Sequence, residues 1–301
     1  MKLEHSDFLS TLDKQDILFL TETWQRDTDY DIINNKDFIE YSVCRSAVKT
    51  AKRNSGGITV LIKKHLSEYI TLIKSYNEGI IWFKIPKIKV RCNCDIYICC
   101  VYISPKYSSR YALNDDDLYE KLYNDVLMYN ELGYCMIYGD MNSRSGDLLD
   151  YIDVDCDDIN SLLYTSACTV KPRISQDKIV NDYGKRLVEL CIANDLIIVN
   201  GRTKSDPTGA FTCYTHNGSS VVDYVLCSKE LIDCIDLKVD DINSLSDHCV
   251  VHTSLSVNLK GVTSNTTHQV DNKCNTHTHT SYKCKSYHKE IYISNMETEA
   301  V

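Results

Sequence analysis

Four carboxylates and one histidine stand at the edges of apolar runs in this 301-residue chain, a placement suited to acid–base chemistry or metal coordination. Glu22 closes the run Asp16 to Thr23, and Tyr102 closes the run Asp95 to Ile103 just before Ser104-Pro105. In Tyr138-Gly139-Asp140-Met141-Asn142, strand alternation sends Asp140 and Asn142 to the same side, so a carboxylate and an amide face one cleft. Asp223 interrupts the apolar segment Val221 to Leu226. An ionised carboxylate inside a strand needs a partner, and a histidine nitrogen or a metal ion would satisfy it. Ser246-Asp247-His248, directly before the apolar run that starts at Cys249, supplies a second carboxylate and an imidazole.

Taken singly, each of these has an ordinary reading. Glu22 would be a solvated carboxylate beside a turn, Tyr102 a packing residue, Asp140 to Asn142 an Asp/Asn-Gly turn, and Ser-Asp-His a surface tripeptide. Taken in order, all at strand edges, they are hard to assign to packing, because rigid sheet ends are where ligand and catalytic groups are commonly held.

The elements that must position them are legible in the hydrophobic pattern. Short apolar runs at Asp16–Thr23, Gly57–Lys63, Ile80–Ile85, Asp95–Ile103 and Tyr134–Met141 predict strands. Leu118, Leu122, Val126 and Tyr129 recur at helical spacing after an Asn/Asp-rich start, predicting a capped helix within Asn114–Leu132. Asn181–Asp195 repeats that pattern and runs into a strand at Leu196–Asn200. Ala210–Thr215 and Val221–Cys227 flank His216-Asn217-Gly218-Ser219 and read as a hairpin, with a last strand at Val250–Val257. Strands and helices in this mixture predict an α/β or α+β layered domain. Tyr151–Asp177 has weak periodicity and reads as a surface insertion. After about Asn258 the composition turns to Thr, Ser, Asn, Lys and His. The expected organisation is therefore a domain over 1–257 and a disordered low-complexity tail over 258–301, whose removal should leave folding unchanged.

Composition sets the outer bounds. With 43% hydrophobic and 25% charged residues the chain can bury a sizeable core, which excludes wholesale disorder. No apolar run approaches the roughly 18 residues of a membrane helix, and the start Met1 to Asp7 lacks the pattern of a secretory signal. The expectation is an intracellular protein, nuclear or cytoplasmic, not secreted and without a membrane partner. The 15 cysteines are odd in number and form no C-x-x-C ligand pairs, so they read as buried thiols rather than a disulfide framework or a zinc ribbon. A net charge of −9 argues against electrostatic coating of nucleic acid, although Arg45 to Lys64 holds six basic residues and no acid. That segment is a candidate DNA contact, and a solvated loop is its commoner meaning.

The ordered landmarks Leu20-Thr21-Glu22-Thr23-Trp24, Ser55-Gly56-Gly57-Ile58, Val101-Tyr102-Ile103-Ser104-Pro105, Gly139-Asp140-Met141-Asn142-Ser143-Arg144, Phe211-Thr212, Val222-Asp223-Tyr224-Val225 and Ser246-Asp247-His248 carry a resemblance across about residues 7–257. The chain resembles the endonuclease/exonuclease/phosphatase superfamily, in particular the apurinic-like endonuclease domain of non-LTR retrotransposons. The resemblance implies a four-layered α/β sandwich of two mixed sheets flanked by helices, with the site where strand ends of the two sheets converge. It also implies metal-dependent phosphodiester hydrolysis, with DNA as partner and Mg²⁺ as cofactor, Mn²⁺ being the alternative. By the same resemblance Glu22 and Asp247 hold the metal, and His248 acts on the phosphate with Asp223 fixing its tautomer. Asp140 and Asn142 act on the attacking water, Asp247 assists the metal or His248, and Asn142, Tyr102, Thr212 and Ser246 bind phosphate oxygens.

One departure from the family pattern stands out. Family members begin with an Asn-bearing strand, whereas Lys2 to Leu12 reads as the helix that follows it. The first strand is therefore expected to be missing, leaving an open edge beside Asp16–Thr23. Two other functions fit the same landmarks: a phosphatase or lipid phosphodiesterase of the superfamily, and a non-catalytic remnant of the fold.

Overall fold

The computed structural model describes residues 12, 14–25, 36–44, 56–77, 79–90, 92–106, 117–152, 170–244, 246–257 and, as a backbone strand, 289–297. Two six-stranded sheets account for most of it. The first is built from β1 (Ile17–Thr21), β2 (Phe38–Val43), β3 (Ile58–Lys63), β12 (Ile235–Val239), β13 (Val251–Val257) and β14 (Lys289–Glu297), in the spatial order β12-β13-β14-β1-β3-β2. The second runs β4-β5-β6-β7-β11-β8, from β4 (Thr71–Tyr76), β5 (Ile80–Ile85), β6 (Asp95–Tyr102), β7 (Gly133–Asp140), β8 (Leu196–Ile198) and β11 (Asp223–Ser228). A short hairpin, β9 (Cys213–Thr215) and β10 (Gly218–Ser220), stands apart from both.

Continuous apolar runs form the central strands because both of their faces are covered. On β1, Ile17 and Phe19 join the core between the sheets, where Phe19 stacks on Tyr138 of β7 with ring centroids 5.1 Å apart. Leu18 and Leu20 turn the other way and pack with Leu12, Phe38, Leu61 and Val250. The far face of the second sheet buries Trp82, Val101 and Ile137 against α1 (Leu118–Asn130) and α2 (Asp182–Ala193). Each helix starts where its sequence signals it. Asp117 caps α1 by accepting from the Tyr119 amide at 2.9 Å, and Asn181 caps α2 by accepting from the Gly184 amide at 2.7 Å.

Three sequence expectations are corrected here. The hairpin does not pair Ala210–Thr215 with Val221–Cys227: its return strand is Gly218–Ser220, and Asp223–Ser228 leaves to sit between β7 and β8. All six residues of β11 are buried, so it needs a neighbour on each side, which a two-stranded hairpin cannot provide. The stretch Tyr151–Asp177 is not a surface insertion at its C-terminal end. Arg173, Ser175 and Asp177 are buried, with the Arg173 guanidinium donating to Ser145 Oγ at 2.9 Å and the Gly146 carbonyl at 2.6 Å. Residues 153–169 of that stretch lie outside the described residues, as do 45–55 of the basic segment and 1–11 at the start.

The third correction concerns the edge beside β1. That edge is closed: β14 pairs parallel with β1, Phe19 opposite Asn295, and antiparallel with β13, Val251 opposite Asn295. Within the stretch read as a tail, Ile291, Tyr292 and Ile293 are the β-forming residues of an otherwise polar segment, and both backbone edges they meet are complementary. Residues 258–288 and 298–301 lie outside the described residues.

A proline at Ile293, which lies opposite both Ile17 and Thr253, removes a ladder donor from the middle of the sheet. Ile293→Pro should cost about 1 to 3 kcal/mol and lower the melting temperature measured by circular dichroism. An unchanged melting curve would show that β14 contributes nothing to the fold.

Candidate active site

Register brings the predicted residues into one row. β11 places Asp223 opposite Asp140 of β7, and β6 places Tyr102 on the other side of Asp140. Paired residues of neighbouring strands face the same way, so Tyr102, Asp140 and Asp223 share the side of the second sheet that faces the first. Gly139 permits this close spacing: its φ of +152° and the Val101 carbonyl oxygen, 1.8 Å from where a Cβ would stand, leave no room for a side chain.

His248 arrives from a different element. Residues 212–214 and 247–249 pair, with Cys213 and His248 forming an antiparallel bridge. The Tyr214 amide donates to the Asp247 carbonyl at 2.7 Å, and the Cys249 amide to the Thr212 carbonyl at 2.7 Å. This docking sets His248 Nδ1 2.9 Å from Asp223 Oδ2, and both side chains are buried. The contact supplies the partner that a carboxylate inside β11 requires. It also directs the other imidazole nitrogen away from Asp223.

Asp140 and Asn142 do meet, but not by strand alternation. β7 ends at Asp140, and Asn142 takes a left-handed backbone, φ 47°, that folds its amide back onto the carboxylate. The Asn142 backbone amide donates to Asp140 Oδ1 at 2.9 Å, and its side-chain Nδ2 donates to Asp140 Oδ2 at 3.0 Å and to the Ile103 carbonyl at 2.9 Å. This is an Asx-type turn that orients the carboxylate rather than a pair of parallel side chains.

Glu22 follows β1, in the opposite sheet, beside β14 and across from β7. Its φ is 53°, as is that of Trp24, whose indole Nε1 donates to Glu22 Oε2 at 3.4 Å. Left-handed backbone in a non-glycine residue costs roughly 1 to 2 kcal/mol, and such strain concentrates at functional positions. Of the four non-glycine residues with positive φ among the described residues, Glu22, Trp24 and Asn142 lie at these two strand mouths. Gly57, with φ +94° and Thr23 Oγ1 2.8 Å from the place of a Cβ, lets the loop close against Thr23, which accounts for the Gly-Gly in the landmark at 55–58.

Thr212 and Ser246, expected at the phosphate, make hydrogen bonds to the backbone around Asp223 and His248. Thr212 is wholly buried, and its hydroxyl oxygen accepts from the amides of Val222 and Asp223, both at 3.1 Å, tying β11 to the strand that meets His248. Ser246 Oγ accepts from the His248 amide at 3.1 Å and shapes the turn into the histidine. The sequence reading missed Asn200, whose buried side chain donates to the Asp223 carbonyl at 3.1 Å and accepts from the Val225 amide at 3.0 Å. It also gave no role to Arg144, which forms a two-pronged bond to Asp177, each contact 2.7 Å. Only the adjacency of Arg144 to Asp140 and Asn142 hinted at it; Asn200 carries no sequence signal.

Arg144 also lines a cleft of about 490 Å³ beside Asn142, together with Lys106, Asn181 and Ser220. A larger hollow of about 860 Å³ runs along β12 and β13, past His252 and Asp240, and contains none of the predicted site residues. The smaller cleft reaches Asn142, whereas Asp140 is buried behind it.

A model of the endonuclease/exonuclease/phosphatase family matches residues 3–248, which include every predicted site residue. The chain belongs to that family. Its members are hydrolases acting on phosphodiester bonds, typically with divalent metals. No curated protein sequence matches the chain. Among solved structures, the AP endonuclease LMAP of Leishmania major is 13% identical with a TM-score of 0.57, covering 82% of this chain and 81% of that one. The 3′ phosphatase NExo of Neisseria, bound to a product DNA hairpin, is 13% identical with a TM-score of 0.53, over 84% of this chain and 93% of that one. The endonuclease domain of TRAS1, a telomere-specific non-LTR retrotransposon, is 16% identical over 83% of this chain and 88% of that one, at a TM-score of 0.46. At these identities the likeness to the first two speaks for the fold alone.

By donor chemistry the carboxylates among the predicted residues fit a hard divalent cation, which takes oxygen donors. Glu22, Asp140 and Asp247 are carboxylates, and Asp247 Oδ1 is buried without a hydrogen-bond partner among the described residues. An acceptor left in that state is what a cation would satisfy.

Two measurements test the site's construction. Because Glu22 already sits in a glycine-like conformation, Glu22→Gly should melt at or above the parent temperature, whereas Leu20→Gly, two residues earlier in the packed strand, should lose about 2 to 5 kcal/mol. Equal losses would mean that Glu22 is not strained.

Burial alone would raise the Asp177 carboxyl, but Arg144 and the amides of Ile179 and Val221 outweigh it and hold it below its ordinary 3.8. A depressed carboxyl stabilises the fold above its unfolded value and loses that stabilisation as pH falls through the folded one. Acid titration should therefore destabilise the parent progressively below about pH 4. Asp177→Asn should be less stable at neutral pH and show a flatter acid limb in urea melts.

Proposed function

We propose that this protein is a divalent-metal-dependent DNA endonuclease that nicks one strand, of the type found in non-LTR retrotransposons. The observation that carries the reading is the buried Asp223–His248 pair, 2.9 Å apart, one strand from the Asp140–Asn142 pair. Phosphodiester hydrolysis asks for an activated water, neutralised phosphoryl oxygens and help for the departing oxyanion, and these two pairs with Glu22 divide those tasks. The retrotransposon branch rests on the landmarks Thr21-Glu22-Thr23-Trp24 and Ser246-Asp247-His248.

Asp140, held at both oxygens by Asn142, orients the attacking water and takes its proton. His248, its ring fixed by Asp223, presents its other nitrogen to the phosphoryl oxygens. Asn142 and Tyr102 border the same space and bind phosphate. Glu22 and Asp247 hold Mg²⁺ or Mn²⁺, which when bound supplies positive charge against the phosphoryl group. DNA as substrate is supported by the fold shared with an AP endonuclease and with a phosphatase whose structure holds a DNA hairpin. The cleft beside Asn142, with Arg144 and Lys106 on its wall, gives the backbone a place to lie.

Supercoiled plasmid incubated with purified protein should be nicked in Mg²⁺ and left intact with chelator. Glu22→Ala and His248→Ala should each reduce nicking by about 10² to 10⁴-fold. Metal-independent nicking, or activity retained in both variants, would refute the assignment.

A further inference from the structure

One group at the site has no part in the proposed reaction. Cys213 is buried beside His248, on the backbone bridge that docks the histidine, and its thiol, a carboxylate oxygen of Asp247 and a ring nitrogen of His248 all lie within 4.8 Å of one another. Magnesium has little use for a sulfur donor. Zinc does: its sites take thiolate, imidazole and carboxylate together, and three protein ligands with an open fourth position make a recognised arrangement.

We propose that Cys213, Asp247 and His248 form a zinc-binding site, and that Zn²⁺ bound there withdraws His248 and Asp247 from phosphodiester cleavage. Three independent features support it. The donor atoms are already gathered by fixed backbone, since residues 212–214 and 247–249 are paired at each position around them. Asp247 Oδ1 is buried without a hydrogen-bond partner among the described residues, so coordination would satisfy it. His248 Nδ1 lies 2.9 Å from Asp223 Oδ2, and zinc on the other ring nitrogen would complete the carboxylate–histidine–metal relay that orients zinc-ligating imidazoles and raises their basicity. On binding, the thiol proton of Cys213 passes to solvent, and the thiolate and the Asp247 carboxylate together balance the two charges of the ion. No sequence spacing announces the site, because Cys213 and His248 belong to different elements.

Zinc binding itself is independent of the proposed nuclease reading, and only the inhibitory consequence rests on it. The full-length protein, stripped of metal, is titrated with Co²⁺ as a spectroscopic stand-in. A thiolate-to-cobalt charge-transfer band, displaced by Zn²⁺, is expected in the parent and in Cys92→Ser and absent in Cys213→Ser. Asp223→Asn should weaken Zn²⁺ by about 10 to 100-fold. X-ray absorption of the unmutated protein with one equivalent of Zn²⁺ should show a single sulfur at about 2.3 Å with nitrogen and oxygen near 2.0 Å, a result that does not depend on any variant folding. Zn²⁺ should inhibit Mg²⁺-dependent nicking in the parent and not in Cys213→Ser. A charge-transfer band of equal strength in Cys213→Ser, or a zinc shell with no sulfur or with several, would overturn the site. If no nicking is found at all, the nuclease reading fails while the cobalt and absorption results still decide the zinc site.

Discussion

A carboxylate buried inside an apolar strand is the constraint around which the second sheet is arranged. Asp223 opens β11, pairs with Asp140 of β7 and is buried, so its charge must be met within the protein. Removing one partner of such a buried pair typically costs 3 to 5 kcal/mol. His248 meets it at 2.9 Å, and several features nearby keep the two in place. Thr212 ties the amides of Val222 and Asp223 to the segment that bridges to His248. Asn200 holds the Asp223 carbonyl from below, and Ser246 shapes the approach to the histidine. The same pairing that settles the fold's charge therefore aims the imidazole.

Directional polar contacts, rather than apolar packing, hold the loops behind this pair. Arg144 bridges Asp177 and the Ser219 carbonyl, and Asn181 both caps α2 and holds the backbone of Asn142 and Arg144. Arg202 and Asp150, both wholly buried, form a second two-pronged bond at 2.6 Å under β8. Apolar side chains fill space but fix no angle, whereas a planar guanidinium on a carboxylate fixes both distance and orientation. Loops that must present a strained Asn142 to within hydrogen-bond reach gain from the second kind of contact.

Much of the frame was legible because it obeys one-dimensional rules. Ile80–Ile85 was read to the residue, and the helix caps at Asp117 and Asn181 fall within the predicted starts, since buried strands and capped helices announce themselves in local pattern. The misreadings share a cause. Val221–Cys227 reads as a hairpin arm because the Asn217-Gly218 turn signal precedes it, whereas the fully buried β11 takes a place inside a six-stranded sheet. β14 was hidden because two isoleucines and a tyrosine in a polar stretch form a strand only when two complementary edges, β1 and β13, stand on either side. Both are tertiary decisions that override local propensity.

The site shows the same division between residue type and geometry. Asp140 and Asn142 were paired correctly for the wrong reason: alternation would have kept them parallel, but a left-handed Asn142 folds back onto the carboxylate and spends two donors on it. Glu22 likewise reaches the mouth of its sheet on strained backbone rather than as a regular strand residue. Strain of this kind persists only where the surroundings leave no alternative, and here they are a glycine loop pressed on Thr23 and a buried Ile103 carbonyl bonded to Asn142. Two sheets that meet face to face bring their strand ends within reach of each other. At those ends a left-handed Glu22 leaves the ladder of β1, while a left-handed Asn142 folds onto an Asp140 that stays in the ladder of β7.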